Sequence, residues 1–254
     1  MRNEALVRQL RDDISRMGAP RADAGVLPFG VSSLDSTLPG GGLSIASLHE
    51  IAGGASGAIH GAAAILFAAG IAARTTGQVL WCITRPDLFA PALAQAGLDP
   101  DRLIIVEAGD EASLLACCEE SLRHGGLGSV VGEIAKLPMT ASRRLKLAAE
   151  TSGTLAIVIR RWKRDRDTFD FGQPTAATTR WRVTALPSSP LPVPGVGRPR
   201  WLVELLRSQA GQSADFVVEA CDEKGRLALP AELADRSSLP GARDRTTAPR
   251  RAAS

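Results

Sequence analysis

Ala46-Ser-Leu-His-Glu-Ile-Ala-Gly-Gly-Ala-Ser-Gly-Ala-Ile-His-Gly-Ala62 holds a short apolar strand, a glycine-rich turn and the start of an alanine-rich helix. Leu48, Glu50 and Ile51 read as the strand, Gly53, Gly54 and Gly57 break it, and the helix is expected from Gly61. Strand, glycine loop and helix in that order make a phosphate-binding loop, where backbone N–H groups and a helix N-terminus cradle phosphate oxygens. The working motif is G-x-x-x-x-G-K-[ST]; its lysine contacts the β/γ-phosphates and its hydroxyl holds Mg²⁺. Counting on from Gly53, Ala58 stands at the second glycine, Ile59 at the lysine and His60 at the hydroxyl residue. The candidate nucleotide site is therefore Gly53, Gly54, Ser56, Gly57, Ile59 and His60, with the scaffold kept and the chemical groups replaced. Backbone dipoles alone contribute about 0.3–1 kcal/mol at an exposed helix end. The turn is expected to serve folding, with residual nucleotide binding as the alternative. No catalytic residue and no cofactor, ATP included, is expected.

Downstream, apolar runs alternate with helical patterns. Strands are expected at 78–84, 102–106, 128–134 and 154–159, and helices at 61–76, 87–97, 111–124 and 140–151. This alternation predicts an α/β fold with a mainly parallel sheet flanked by helices, and ligands beyond the carboxyl ends of the strands. Three further strands, 179–186, 200–207 and 214–219, follow without helices and predict an antiparallel extension of the sheet. The Pro/Gly-rich run 187–199 between the first two reads as a loop. Upstream, Ser33 is a candidate cap for a short helical turn, and Gly40 to Gly42 form a tight loop.

The domain reading is an N-terminal helix at 1–20, a core at 25–230 and a disordered basic tail at 235–254. In the first, Leu6, Leu10, Ile14 and Met17 share one helical face, a candidate surface for self-association or partner docking. The tail is poor in apolar residues and rich in Ser, Pro, Ala and Arg.

The 254 residues suffice for a sizeable core. The net charge is only +3, but lysine supplies few of the 30 cations, and arginine forks suit phosphates. Cys82, Cys117, Cys118 and Cys221 have no C-x-x-C spacing. Cys82 and Cys221 lie in apolar runs and read as buried free thiols of a reducing compartment, not as a disulfide frame or zinc site. The scattered His49, His60 and His124 give no metal site and no triad. No signal peptide and no spanning segment is read, so a cytoplasmic protein is expected, with no membrane partner.

The strongest functional segment is 160–171. Arg160, Arg161, Lys163, Arg164 and Arg166 are interleaved with Trp162, Phe169 and Phe171. Basic charge tracks a phosphate backbone and aromatic faces stack bases, so Arg160, Arg161, Lys163, Arg164, Arg166 and Phe171 are the candidate DNA-binding residues. A protein-binding loop, or a solvated loop with Asp165, Asp167 and Asp170 pairing the arginines, is the alternative. Arg143, Arg144 and Lys146 read as a solvated helix face, and Trp181 and Trp201 as packing residues.

The order of features resembles the RecA recombinase core. Gly30-Val-Ser-Ser-Leu-Asp35, the Gly40-Gly-Gly-Leu43 turn and Leu48-His-Glu-Ile-Ala-Gly53 resemble that family's lead-in to its phosphate loop. Ile83-Thr-Arg-Pro-Asp-Leu-Phe-Ala-Pro91 is similar to its turn after the first crossover, and Phe171-Gly-Gln-Pro-Thr175 to its second mobile DNA-binding loop. The resemblance spans about 27–220. It places the water-activating glutamate on or near Pro86 and the Mg²⁺-side aspartate at Gly132, beside Glu133, so three parts of phosphoryl transfer are missing together. Asp87 or Glu133 are the nearest substitutes. Together with Arg180-Trp-Arg182 and Gly197-Arg-Pro-Arg-Trp201, this pattern resembles the ImuA family, RecA-like accessory subunits of bacterial damage-induced (SOS) mutagenesis. The resemblance implies a non-catalytic adaptor in translesion synthesis that binds DNA and works beside an ImuB-like Y-family polymerase relative and an error-prone C-family polymerase. It also implies recruitment to the nucleoid on damage and possible self-association. An ATP-driven RecA-type enzyme, or an inhibitor of cell division, are the rival expectations.

Overall fold

The computed structural model describes residues 25–55, 57–162, 171–189, 191, 193–208, 211 and 213–230. The readings made for Leu6, Leu10 and Ile14, for the 235–254 tail, and for Ser56, Lys163, Arg164 and Arg166 fall outside the described residues.

Two short strands, β1 (Val26–Leu27) and β2 (Leu43–Ser44), pair antiparallel around a helical turn, α1 (Ser32–Asp35). Ser33 does not cap that turn. Val31 stands at its N-cap, and the Asp35 carboxylate instead accepts the Phe29 and Gly30 N–H groups at 2.6 and 2.9 Å. An acidic side chain inside the turn reaches back to the entering backbone, and no hydroxyl at its start is needed.

The main sheet follows: β3 (Leu48–Gly53), α2 (Ala58–Ala73), β4 (Val79–Ile83), α3 (Ala90–Gln95), β5 (Leu103–Glu107), α4 (Glu111–His124), β6 (Ser129–Ile134), α5 (Met139–Ser152), β7 (Leu155–Arg160), β8 (Thr179–Leu186), β9 (Arg200–Arg207) and β10 (Ala214–Glu219). The strand order is β10-β9-β8-β3-β7-β6-β4-β5. From β8 to β5 all pairs are parallel, and β8-β9-β10 are antiparallel. β3, β6 and β7 are buried along their whole length, as strands covered on both faces must be.

Strand alternation divides the core. Ile51, Ile157 and Ile159 face one layer, in which Phe67 of α2 stacks on Phe29 at 5.7 Å and meets Trp181 and Trp201 at 6.0 and 6.3 Å. Trp181 and Trp201 are thus packing residues. Leu48, Ala156 and Val158 face the other layer, under Leu114 and Leu122 of α4 and Leu145 of α5. Arg144 and Lys146 on the outer side of α5 pair with Glu119 and Glu150.

His49 ties β3 to its surroundings. Its Nε2–H donates to Ser44 O, and its Nδ1 accepts from Thr179 Oγ1, which itself accepts from Trp181 Nε1. Burial pushes its pKa down to about 4, against a partial opposing pull from the Ser44 carbonyl. The unfolded chain binds a proton near pH 6.5 where the folded chain does not, so this contribution is intact above pH 6.5 and lost as the pH falls towards 4. Between pH 7 and 4.5, urea unfolding should show the native chain losing about 2–3 kcal/mol more stability than His49→Gln.

Candidate functional site

The glycine-rich turn has packing reasons for its glycines. A Cβ on Gly54 would overlap Thr184 Oγ1 and lie 2.7 Å from Thr184 Cβ, so β8 passes where a side chain would be. Gly57, the N-cap of α2, has φ 118°, a conformation that L side chains rarely adopt. Ile59, at the lysine position, is 67% exposed. His60, at the hydroxyl position, is turned to the sheet, where its Nδ1 accepts the Ala185 N–H at 3.2 Å. Helix α2 therefore begins at Ala58, earlier than Gly61, and its first turn is stitched to β8.

Beyond the carboxyl ends of β4, β6 and β7, Arg161 joins two carboxylates. Its Nη1 donates to Asp87 Oδ1 and Glu133 Oε2, both at 2.7 Å, and its Nη2 donates to Asp87 Oδ2 at 2.9 Å. Glu133 is buried and also accepts from Trp81 Nε1 at 2.7 Å. The Arg161 hydrogen bond holds the Asp87 pKa down, and the Asp87 bond, with the charge of Glu133, holds that of Arg161 up. Asp87 and Glu133 thus share one tethered cation.

Deeper in the sheet lies a second ionic cluster around Glu50. Its Oε1 accepts from Arg160 Nη1 at 2.8 Å, and its Oε2 from Thr175 Oγ1 at 2.7 Å and Arg180 Nε at 3.0 Å. Arg160 also donates to Ala135 O, and Arg180 to the carbonyls of Phe171 and Gln173. Glu50 and Arg160 side chains are both fully buried.

This placement corrects two DNA-contact assignments. Arg160 is the last residue of β7, not part of an exposed loop, and its guanidinium faces inward on the side that carries Ala156 and Val158. Phe171 is only 7% exposed, packed edge-on to Trp162 at 5.6 Å and beneath Arg180 at 5.1 Å. Neither offers a face to a base or a phosphate here. Arg161 keeps partial exposure beside its two carboxylates. Glu50, Arg180 and Thr175 were not singled out from sequence; charges inside otherwise buried strands are the signal that points to them.

A cavity of about 740 Å³ opens between the turn, α2, the Arg85–Leu93 segment and the end of β7. Among the described residues there is no cluster of three metal-ligating side chains, and no helix is long and apolar enough to cross a membrane. The four cysteines are free; Cys82 is buried with its Sγ 3.6 Å from that of Cys117, and Cys221 is only partly buried.

The chain is 37% identical over 229 residues to protein ImuA of Caulobacter vibrioides, in two strains, covering 85% of this chain and 93% of that protein. The chain belongs to the ImuA family. No family model matches it. The crystal structure of the RadB recombinase superposes with a TM-score of 0.55 at 18% identity, over 80% of this chain and 99% of that one, which shows the RecA-like fold. SulA from Pseudomonas aeruginosa, with a TM-score of 0.39 over 45% of this chain, is too distant to bear on fold or function.

Removing the shared anion should expose what it holds. Glu50→Ala leaves two buried guanidinium groups without their carboxylate and is expected to lose about 3–5 kcal/mol of stability in urea melts. Amide exchange should rise first at residues 171–178, which the cluster anchors.

Proposed function

We propose that this ImuA-family chain is a non-catalytic, RecA-like adaptor in SOS-induced translesion synthesis, binding DNA and error-prone polymerase partners. The observation that carries this reading is the Asp87–Arg161–Glu133 cluster, together with an Ile59 whose side chain brings no charge to a phosphate. Phosphoryl transfer needs cations at the phosphates and a free carboxylate to orient water and metal. Here both carboxylates are engaged by an arginine of the same chain. The partners proposed are an ImuB-like Y-family polymerase relative and a C-family error-prone polymerase. Its place of action is the cytoplasm, on damaged DNA at the nucleoid.

With Arg160 and Phe171 withdrawn from the interface, DNA contact is assigned to Arg161, Lys163, Arg164 and Arg166. Purified full-length protein should show no Mg²⁺-dependent ATP turnover with or without single-stranded DNA; turnover abolished by Asp87→Asn would establish an enzyme instead. Lys163→Ala/Arg164→Ala/Arg166→Ala should weaken single-strand binding. The log K against log salt slope should become shallower by about 0.7 for each phosphate that the variant no longer neutralises. Unchanged affinity would remove this segment from the interface.

A further inference from the structure

The cavity of about 740 Å³ beside the glycine turn is within the size range of sites that bind small ligands. Its lining does not match a nucleotide. Helix α2 shows the cavity Ala58, Ala62, Ile65 and Leu66. Opposite stand Leu88 and Phe89. Phe89 is 67% exposed, a large ring at the mouth of an apolar trough. Binding clefts are lined mostly by apolar side chains with a few placed polar groups.

The polar lining says what would fill it. Arg160 and Arg161 line the cavity but are engaged with Glu50, Asp87 and Glu133. Arg85 also lines it and is exposed; among the described residues its only partner is Asp87, at longer range than an ion pair. Trp162 also lines it, with its indole Nε1 buried and closed to an occupant. A complementary occupant brings apolar side chains for the trough and a carboxylate for Arg85. A peptide segment with acidic residues next to bulky apolar ones supplies both.

We propose that the former nucleotide cavity is a docking site for an acidic, apolar peptide segment of a protein partner, anchored by Phe89 and Arg85. This rests on the adaptor reading and gives it a surface. A nucleotide offers phosphate charge, for which the described lining has one cation, Arg85, outside a contact ion pair. It does not supply the aliphatic groups that the α2 wall fits.

The test is selection of phage-displayed random 12-residue peptides on the immobilised full chain, with Phe89→Asp and Arg85→Glu proteins run in parallel. Both positions are exposed, so circular dichroism melts should match the native protein. Recovered peptides should pair Asp or Glu with Leu, Ile or Phe. Phe89→Asp should weaken them at least tenfold, and Arg85→Glu should switch the selected charge from acidic to basic. No enrichment, peptides insensitive to both substitutions, or peptides displaced by Mg·ATP would each overturn the proposal. Co-purification with the proposed polymerase partners separates the two readings. Capture unchanged by Phe89→Asp sinks the cavity assignment and leaves the adaptor standing. No capture by the native chain sinks the adaptor itself.

Discussion

A single buried carboxylate organises this molecule. Glu50 lies at the centre of the parallel sheet, shielded from water, and accepts from Arg160, Thr175 and Arg180. Arg160 closes β7 and Arg180 opens β8, the strands that flank β3 on either side. The carboxylate therefore holds together the two ends of the segment that leaves the sheet after β7 and returns at β8. On the returning side, the backbone from Phe171 to Gln173 hangs from Arg180 through its carbonyls. A charge so deep is tolerated because its lone pairs and the N–H groups around it have partners.

The alternation of buried runs and helical patterns made the sheet and its antiparallel extension legible from sequence. Strands buried on both faces must be continuously apolar, and β3, β4, β6 and β7 are nearly so. The order of those elements carried the RecA-like reading as well. Helix starts were less legible: α2 begins at Ala58, with Gly57 as its N-cap at φ 118° and the Gly61 N–H bonded to Gly57 O, and its His60 bonds to β8 across more than a hundred residues.

The basic segment misled in a specific way. Charge density along a chain says nothing about direction, and Arg160 and Arg161 are adjacent yet face different surroundings. Arg160 continues the inward row of Ala156 and Val158, while Arg161, one residue past the strand, turns to Asp87 and the buried Glu133. The partners of both sit on other strands, Glu50 on β3 and Glu133 on β6, with Asp87 just after β4. Their proximity follows from strand order, which fixes which distant carboxylates meet which arginine.

The Arg161 fork has a consequence for how this protein meets the cell. An enzyme whose strand ends are bridged by a bound metal and a triphosphate changes shape with the supply of both. Here the bridging cation is part of the polypeptide and is in place as soon as the chain folds. A bridge attached covalently in this way is not removed from the strand ends by dilution or by chelation.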